Sequence, residues 1–203
     1  MVFQNGTTRN RNCPGFSTLE VLIVLVVALI VAAFATPMVK TIAADMRIGG
    51  DVRGIADQIG LAKMRAASDF TQARLYANLT ANTYHVEIWQ KSGGGSWVTE
   101  GGTQSLSSGI SLGLGGLSTA PPNTQATMAQ AAACKNSGGA NIANTACVLF
   151  NSRGIPVDST GTPTASDALY ITDGTSVMGV TVSAMGLIQS WRSPAAHAGW
   201  FKL

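Results

Sequence analysis

The sequence predicts an α+β fold in which a long N-terminal helix, membrane-spanning in its first half, packs on an antiparallel β-sheet head. Three observations carry this expectation. Residues 21–35 form an unbroken apolar run. Ile48, Val52, Ile55, Ile59, Ala62 and Ala66 then recur at alternating four- and three-residue steps, the period of a single helix face. Past Phe70 the pattern changes to short β-rich segments bounded by Gly, Pro, Asn or Asp, and helix followed by strands is an α+β order.

The first element is the stretch 16–37, about 30 Å long as a helix at ~1.5 Å per residue and so long enough to cross a hydrocarbon core. Its only charged residue is Glu20. Holding an ionised side chain at mid-bilayer costs about 2.5–3.5 kcal/mol on the most lenient scale, so an acid at such a place asks for a positive partner. A cut after Gly15 makes Phe16 a new N-terminus, whose amine can face the Glu20 carboxylate of a neighbouring copy. The competing reading is an ordinary secretory signal, with Arg9 and Arg11 before the apolar run and Ala33-Phe34-Ala35 as its small-x-small site. Against it stand the long hydrophilic stretch ending in Cys13-Pro14-Gly15, the acid at the entrance, and a span longer than a signal core. The basic leader stays cytoplasmic under the positive-inside bias, which leaves the C-terminal part outside.

Residues 38–69 are the amphipathic continuation of the same helix. Pro37 lacks an amide proton and is expected to kink or loosen it, and Gly49-Gly50 is a second weak point where a bend or break is expected. Residues 70–203 make the β-rich head. Segments 73–79 and 84–90 alternate as a hairpin around Thr80-Ala81-Asn82-Thr83, and 97–98, 110–112, 147–151, 168–172, 177–183 and 187–191 are further strand candidates. Between them, 113–145 is a polar, small-residue tract with Pro121-Pro122, expected as a long surface loop that carries subunit-specific contacts. Cys13 precedes the cut, so Cys134 and Cys147 have one pairing open to them. An oxidised bridge, stabilising by about 2–3 kcal/mol in an exported domain, is the expectation, with two unpaired thiols as its rival.

Composition limits function. The chain has 13 Lys and Arg against 10 Asp and Glu, and with Arg9 and Arg11 gone the mature charge is near neutral, without the clustered base of a nucleic-acid protein. Trp191, Arg192 and Lys202 place aromatic and cationic groups close together near the C-terminus, the makings of a weak DNA contact, but near-neutral charge favours the reading in which Trp191 and Trp200 cover the sheet. No enzyme is expected. The glycine clusters lack the Gly-Lys-Ser/Thr ending of a phosphate loop, and His85 and His197 lack ligand-spaced partners. Asp158, Asp167 and Asp173 could supply oxygen ligands to calcium, but they lack EF-hand spacing and loop aspartates commonly cap turns, so the favoured expectation is neither a metal nor a cofactor.

Gly15 and Phe16 at a cleavage site, Glu20 as the fifth residue after the cut and Pro37 as the twenty-second resemble the type IV pilin and pseudopilin family, although Ser17-Thr18-Leu19 departs from its more usual Thr-Leu-Ile. The resemblance implies that residues 1–15 are a leader removed by a prepilin peptidase, which methylates the Phe16 amine, and that Glu20 guides each subunit into a filament. The partners it implies are that peptidase, other pilin or pseudopilin subunits and an inner-membrane assembly platform. The chain would then be a single-pass inner-membrane protein with a periplasmic head and a pilin fold. Leu61 to Ala67, Val148-Leu149-Phe150-Asn151-Ser152-Arg153-Gly154-Ile155-Pro156 and Val180-Thr181-Val182-Ser183-Ala184-Met185-Gly186 are most similar to minor pseudopilins of the FimT/GspH type, which serve type IV pilus assembly or type II secretion. Some relatives bind DNA in natural transformation through a Gly-Arg-x-Arg segment. Here Gly186-Leu187-Ile188-Gln189 has no arginine in that slot.

Overall fold

The computed structural model describes residues 15–203, with the backbone alone for 36–38, 40 and 41. Arg9, Arg11 and Cys13, and with them nearly all of the expected leader, lie outside the described residues. Helix α1 spans Thr18–Ser68. It continues through position 37 and through Gly49-Gly50, where the sequence leads one to expect a bend or break. Two glycines cost a helix about 1 kcal/mol each. Burial of Ile48 and Val52 on either side of the pair more than offsets that, at roughly 1.5–3 kcal/mol per large side chain.

The chain divides between Ala43 and Ala44 into two compact units. In the first, Thr18–Ala35 is a helical stretch long and apolar enough to cross a membrane, and none of it is buried within the protein. The second unit contains the rest of α1 and strands β1 (Ala73–Asn78), β2 (Thr83–Gln90), β3 (Ser96–Ser105), β4 (Ser111–Leu112), β5 (Thr145–Phe150), β6 (Pro156–Val157), β7 (Asp167–Thr172), β8 (Ser176–Val182), β9 (Ile188–Pro194) and β10 (Phe201–Lys202). The fold is α+β.

The strands form two antiparallel sheets rather than the single sheet expected. The first has the order β3-β2-β1-β5-β6 and the second β10-β9-β8-β7-β4. In the first, β1 pairs with β2 through Leu75↔Val86 and with β5 through Leu75↔Val148, so the same parity faces inward on all three strands. The α1 stripe Ile48, Val52, Ile55, Ile59, Ala62 and Ala66 is at most 1 % exposed. It packs with Leu75, Val86, Val148 and Phe150 of the first sheet and with Leu169, Ile171, Val180 and Val182 of the second in one core. Gly54 and Gly179 let tyrosine side chains approach the backbone closely. A Cβ at Gly54 would stand 2.7 Å from the Tyr84 hydroxyl, and one at Gly179 would stand 2.5 Å from the Tyr170 ring. Lys63 Nζ donates to the Gly186 carbonyl at 2.8 Å and ties α1 to the β8–β9 turn.

The long tract between β4 and β5 is not a plain surface loop. Leu117 and Met128 are buried with Ala168, Tyr170 and Val177 in a second cluster on the outer face of the second sheet. The Ala131 amide donates to Ala168 of β7 at 2.7 Å, and the Cys147 amide of β5 donates to Ala132 at 2.8 Å, so this tract is stitched to both sheets. The Gln130 side chain donates to the Tyr170 carbonyl and accepts from the Tyr170 amide. Gln125 Oε1 accepts the Tyr170 hydroxyl, so a few apolar residues and two amide side chains fasten a segment whose composition alone suggests solvent.

Candidate functional site

The start of α1 is built from local chemistry. Ser17 precedes the helix, its Oγ accepts the Leu19 amide at 3.3 Å, and its carbonyl accepts the Val21 amide at 3.2 Å, which is how an N-capping serine satisfies unpaired first-turn donors. Glu20 lies in the first turn, three residues after that cap, at capping-box spacing. Helix geometry therefore gives this carboxylate a use of its own, because an acid in the first turn faces the positive end of the helix dipole. The Ser-x-x-Glu spacing was readable in the sequence. Phe16 is 81 % exposed and Gly15 has no neighbouring atoms within 4 Å of where a Cβ would stand, so the bond between them is unobstructed by the described residues. Pro37 lies within α1.

The head carries its densest polar chemistry on the outer face of the first sheet. Period-2 alternation puts Arg74 and Tyr76 of β1, and His85, Glu87 and Trp89 of β2, opposite the core residues. Arg74 is 4 % exposed; its Nε donates to Glu87 Oε2 at 2.6 Å, a second nitrogen donates to the Lys135 carbonyl at 2.6 Å, and its guanidinium lies 3.9 Å from the Trp97 ring centroid. His85 stacks on Tyr76 with ring centroids 4.9 Å apart, and its Nε2 lies 3.3 Å from Glu87 Oε1. Burial alone would raise the Glu87 carboxyl, but the His85 hydrogen bond and the Arg74 charge outweigh it and hold the group below the usual carboxylate range. His85, which the sequence marks as an ordinary strand residue, is a member of this cluster.

A cavity of about 570 Å³ opens between this face and the long loop, with Arg74, Trp89, Trp97, Leu149, Val157 and Asp167 among its lining residues. Cys134 and Cys147 also line it and are joined by a disulfide, Cα to Cα 5.0 Å, which fastens the loop to β5 at the cavity wall. Asp167 is the unusual group. Its Oδ2 is buried and accepts no hydrogen bond, and burial, with the nearby Asp158 charge second, pushes its carboxyl up to about 7.

The C-terminal aromatic and cationic residues are dispersed in their roles. Trp191 is buried, with its indole N–H donating to Thr181 Oγ1 at 2.9 Å, and a buried indole is not a base-stacking platform. Arg192 donates to Asp45 of α1 at 2.7 Å. Lys202 is exposed on β10, paired in register with Trp191. Trp200 donates to the Thr119 carbonyl and its ring stands 5.8 Å from that of Tyr170. Asp158 and Asp173 fold back on their own turns: Asp158 accepts from Thr160 and Thr162, and Asp173 from Thr175 and Ser176. Among the described residues no three His, Cys, Asp or Glu side chains gather as a metal site. In comparisons with protein-family models, with curated proteins and with solved structures, the chain gives no match.

Proposed function

We propose that this chain is a minor pilin or pseudopilin subunit of a type IV pilus or type II secretion system, anchored in the inner membrane by α1 and incorporated into a filament through that helix. One observation carries the reading: α1 begins with an exposed apolar stretch whose single charge, Glu20, stands five residues into a chain that starts at Phe16, and the same helix ends under a β-rich head. A prepilin peptidase cuts between Gly15 and Phe16. The Phe16 amine of one subunit then neutralises Glu20 of the next, which removes the cost of an unpaired carboxylate among lipid tails. The head remains outside the cytoplasm, where the Cys134–Cys147 bridge persists.

Two measurements test this. Mass spectrometry of the protein recovered from cells yields methyl-phenylalanine at position 16; a start at Thr36 instead would restore the secretory-signal reading. Glu20→Gln separates the two uses of the carboxylate, because glutamine also serves a capping box but cannot neutralise an ammonium. The expected outcome is normal leader removal with impaired filament incorporation for both Glu20→Gln and Glu20→Ala. Normal incorporation of Glu20→Gln would reduce Glu20 to a helix cap. A DNA-binding role in natural transformation gains no support from a buried Trp191 and an Arg192 already paired with Asp45.

A further inference from the structure

The edges of the two sheets are unequal. The outer strands β4, β6 and β10 are two residues each, too short to template another chain, whereas β3, at one edge of the first sheet, runs ten residues from Ser96 to Ser105 without a proline or a lysine. An irregularity against β2 interrupts β3 between Glu100 and Gln104, but residues 96–100 keep a regular register. The ladder fixes which backbone groups of that stretch face outward. The Trp89 amide of β2 donates to the Gln72 carbonyl on the β1 side at 2.8 Å, so Trp89 turns away from β3, and Trp97, its partner on β3, turns its own N–H and C=O away from β2. Thr99, opposite Glu87, repeats this two residues on. Both residues thus present donors and acceptors at an edge where no further strand stands. Val98 between them is 39 % exposed, and on its helix side lies a cavity of about 480 Å³ with Thr71, Ile88, Val98 and Glu100 among its lining residues. Glu100, the single charge of β3, is neutralised by Arg65. We propose that residues 96–100 accept an antiparallel strand from another protein, its backbone paired with Trp97 and Thr99 and an apolar side chain beside Val98 in that cavity.

Three properties select this occupant. Only an extended backbone offers N–H and C=O groups at the alternate spacing that Trp97 and Thr99 require. Antiparallel order continues the pairing of β1 with β2 and of β2 with β3. A second copy of this chain is excluded by direction. Joining β3 to β3 antiparallel takes a two-fold axis perpendicular to the sheet, which also reverses the helix whose stripe from Ile48 to Ala66 lies against that sheet. Copies that enter one membrane through the same end of α1 cannot run opposite ways. That exclusion rests on the anchored reading of α1, whereas the backbone argument does not. Side-chain preference follows from the two faces. On the outer face an incoming strand meets Trp97, already held by Arg74 and Trp89, and exposed Thr99, which suits small polar residues. On the helix side Val98 and Ile88 suit a β-branched apolar residue. The partner segment therefore alternates residues like threonine and valine.

Fluorescence anisotropy with the full-length chain in detergent micelles tests it. The probe is a labelled peptide of alternating threonine and valine with a lysine at each end, and it is expected to bind saturably. N-methylation of its threonines is expected to weaken binding at least about tenfold, because those amides face β3 in the proposed register. N-methylation of its valines, whose amides face solvent, is expected to change binding less than about threefold. No saturable binding, equal loss from both methylations, or greater loss from the valine set overturns the proposal without recourse to any variant. Thr99→Pro removes a donor that points away from β2, at a position where an edge strand tolerates proline. Melting within a few degrees of the parent and peptide binding weakened at least about tenfold are expected, and undiminished binding would exclude this edge. A chain that dimerises in sedimentation and becomes monomeric on Thr99→Pro would make the occupant a second copy and overturn the proposal as well. The two readings fail separately: absent peptide binding in a protein that starts at Phe16 sinks strand addition alone, and peptide binding in a protein that starts at Thr36 sinks the filament reading alone.

Discussion

At the scale of single residues, two buried charges behave in opposite ways. Arg74 is satisfied on every side, so its removal strands Glu87 and the Lys135 carbonyl; Arg74→Ala is expected to lose about 3–5 kcal/mol in denaturant unfolding, the usual cost of breaking a buried pair. Asp167 is unsatisfied. Its carboxyl titrates at about 7 in the folded chain and near ~3.9 in the unfolded one. In strong acid both states hold the proton and the group is neutral to stability. As pH rises from about 4 to about 7 the unfolded chain releases its proton first, so stability falls across that window and levels off above it. Asp167→Asn removes the slope, and the variant is expected to melt like the parent near pH 3 but to exceed it at pH 8 by on the order of 4 kcal/mol. A parent curve that rises between pH 4 and 7, once Asp167→Asn is subtracted, would refute this assignment. Arg192 is different again: its pair with Asp45 is 39 % and 49 % exposed, and such surface pairs contribute about 0–1 kcal/mol. Arg192→Ala is therefore expected to leave both melting and duplex DNA retention unchanged in a gel-shift assay, and loss of a salt-sensitive shift on substitution would reinstate the DNA reading.

At the scale of elements, what could be read in advance followed the strength of the local period. The stripe from Ile48 to Ala66 announced both the helix and its buried face, because six apolar residues at helical spacing leave no other arrangement that buries them all. The β1–β2 hairpin was equally legible, since Leu75 and Val86 alternate with polar neighbours around a turn in which Asn78 Oδ1 accepts the Thr80 and Ala81 amides and Asn82 takes a positive φ. Strand β3 was legible only at Trp97 and Val98. Its second half contains Gly101-Gly102, which reads as a turn, yet pairing with β2 across an irregularity at Tyr84/Val86 carries the strand on to Ser105. Strands β6 and β10 are two residues each and left no periodic signal. Of the cavity, the cysteine pair was foreseen and the rest was not, because Gln125 and Gln130 act through Tyr170, up to 45 residues away in the chain, and Asp167 reaches the cavity only through the pairing of β7. The loop's attachment is the element-level prediction. Replacing both Cys134 and Cys147 by serine is expected to cost about 2–3 kcal/mol, the chain-entropy value for a loop this short. It is also expected to speed hydrogen exchange at the Cys147 and Ala131 amides while leaving β8 protected.

At the scale of the whole molecule, the division between Ala43 and Ala44 separates two kinds of stability. Every residue of the main core, beginning with Ile48, belongs to the second unit. The described apolar side chains of the first unit, among them Phe16, Leu22, Leu29 and Val39, are exposed, a surface suited to lipid or to other helices. Folding of the head should therefore not depend on the anchor, whereas the anchor without lipid or neighbours presents a continuous apolar surface. A chain beginning at Ala44 retains Lys63 on Gly186, Asp51 on Ser107 and Arg192 on Asp45, the contacts that hold the helix remnant to the sheets. Such a truncated chain is expected to be monomeric without detergent and to unfold in one transition within a few degrees of the full-length protein in micelles. Moving the start to 53 removes Ile48 and Val52, two large side chains at 0 % and 1 % exposure. Their burial contributes roughly 3–6 kcal/mol together, a large share of a marginal total. That shorter chain is expected to lose cooperative unfolding. If both truncations melt alike, the upper stripe of α1 does not stabilise the head, and the single core shared by helix and two sheets is smaller than the burial pattern indicates.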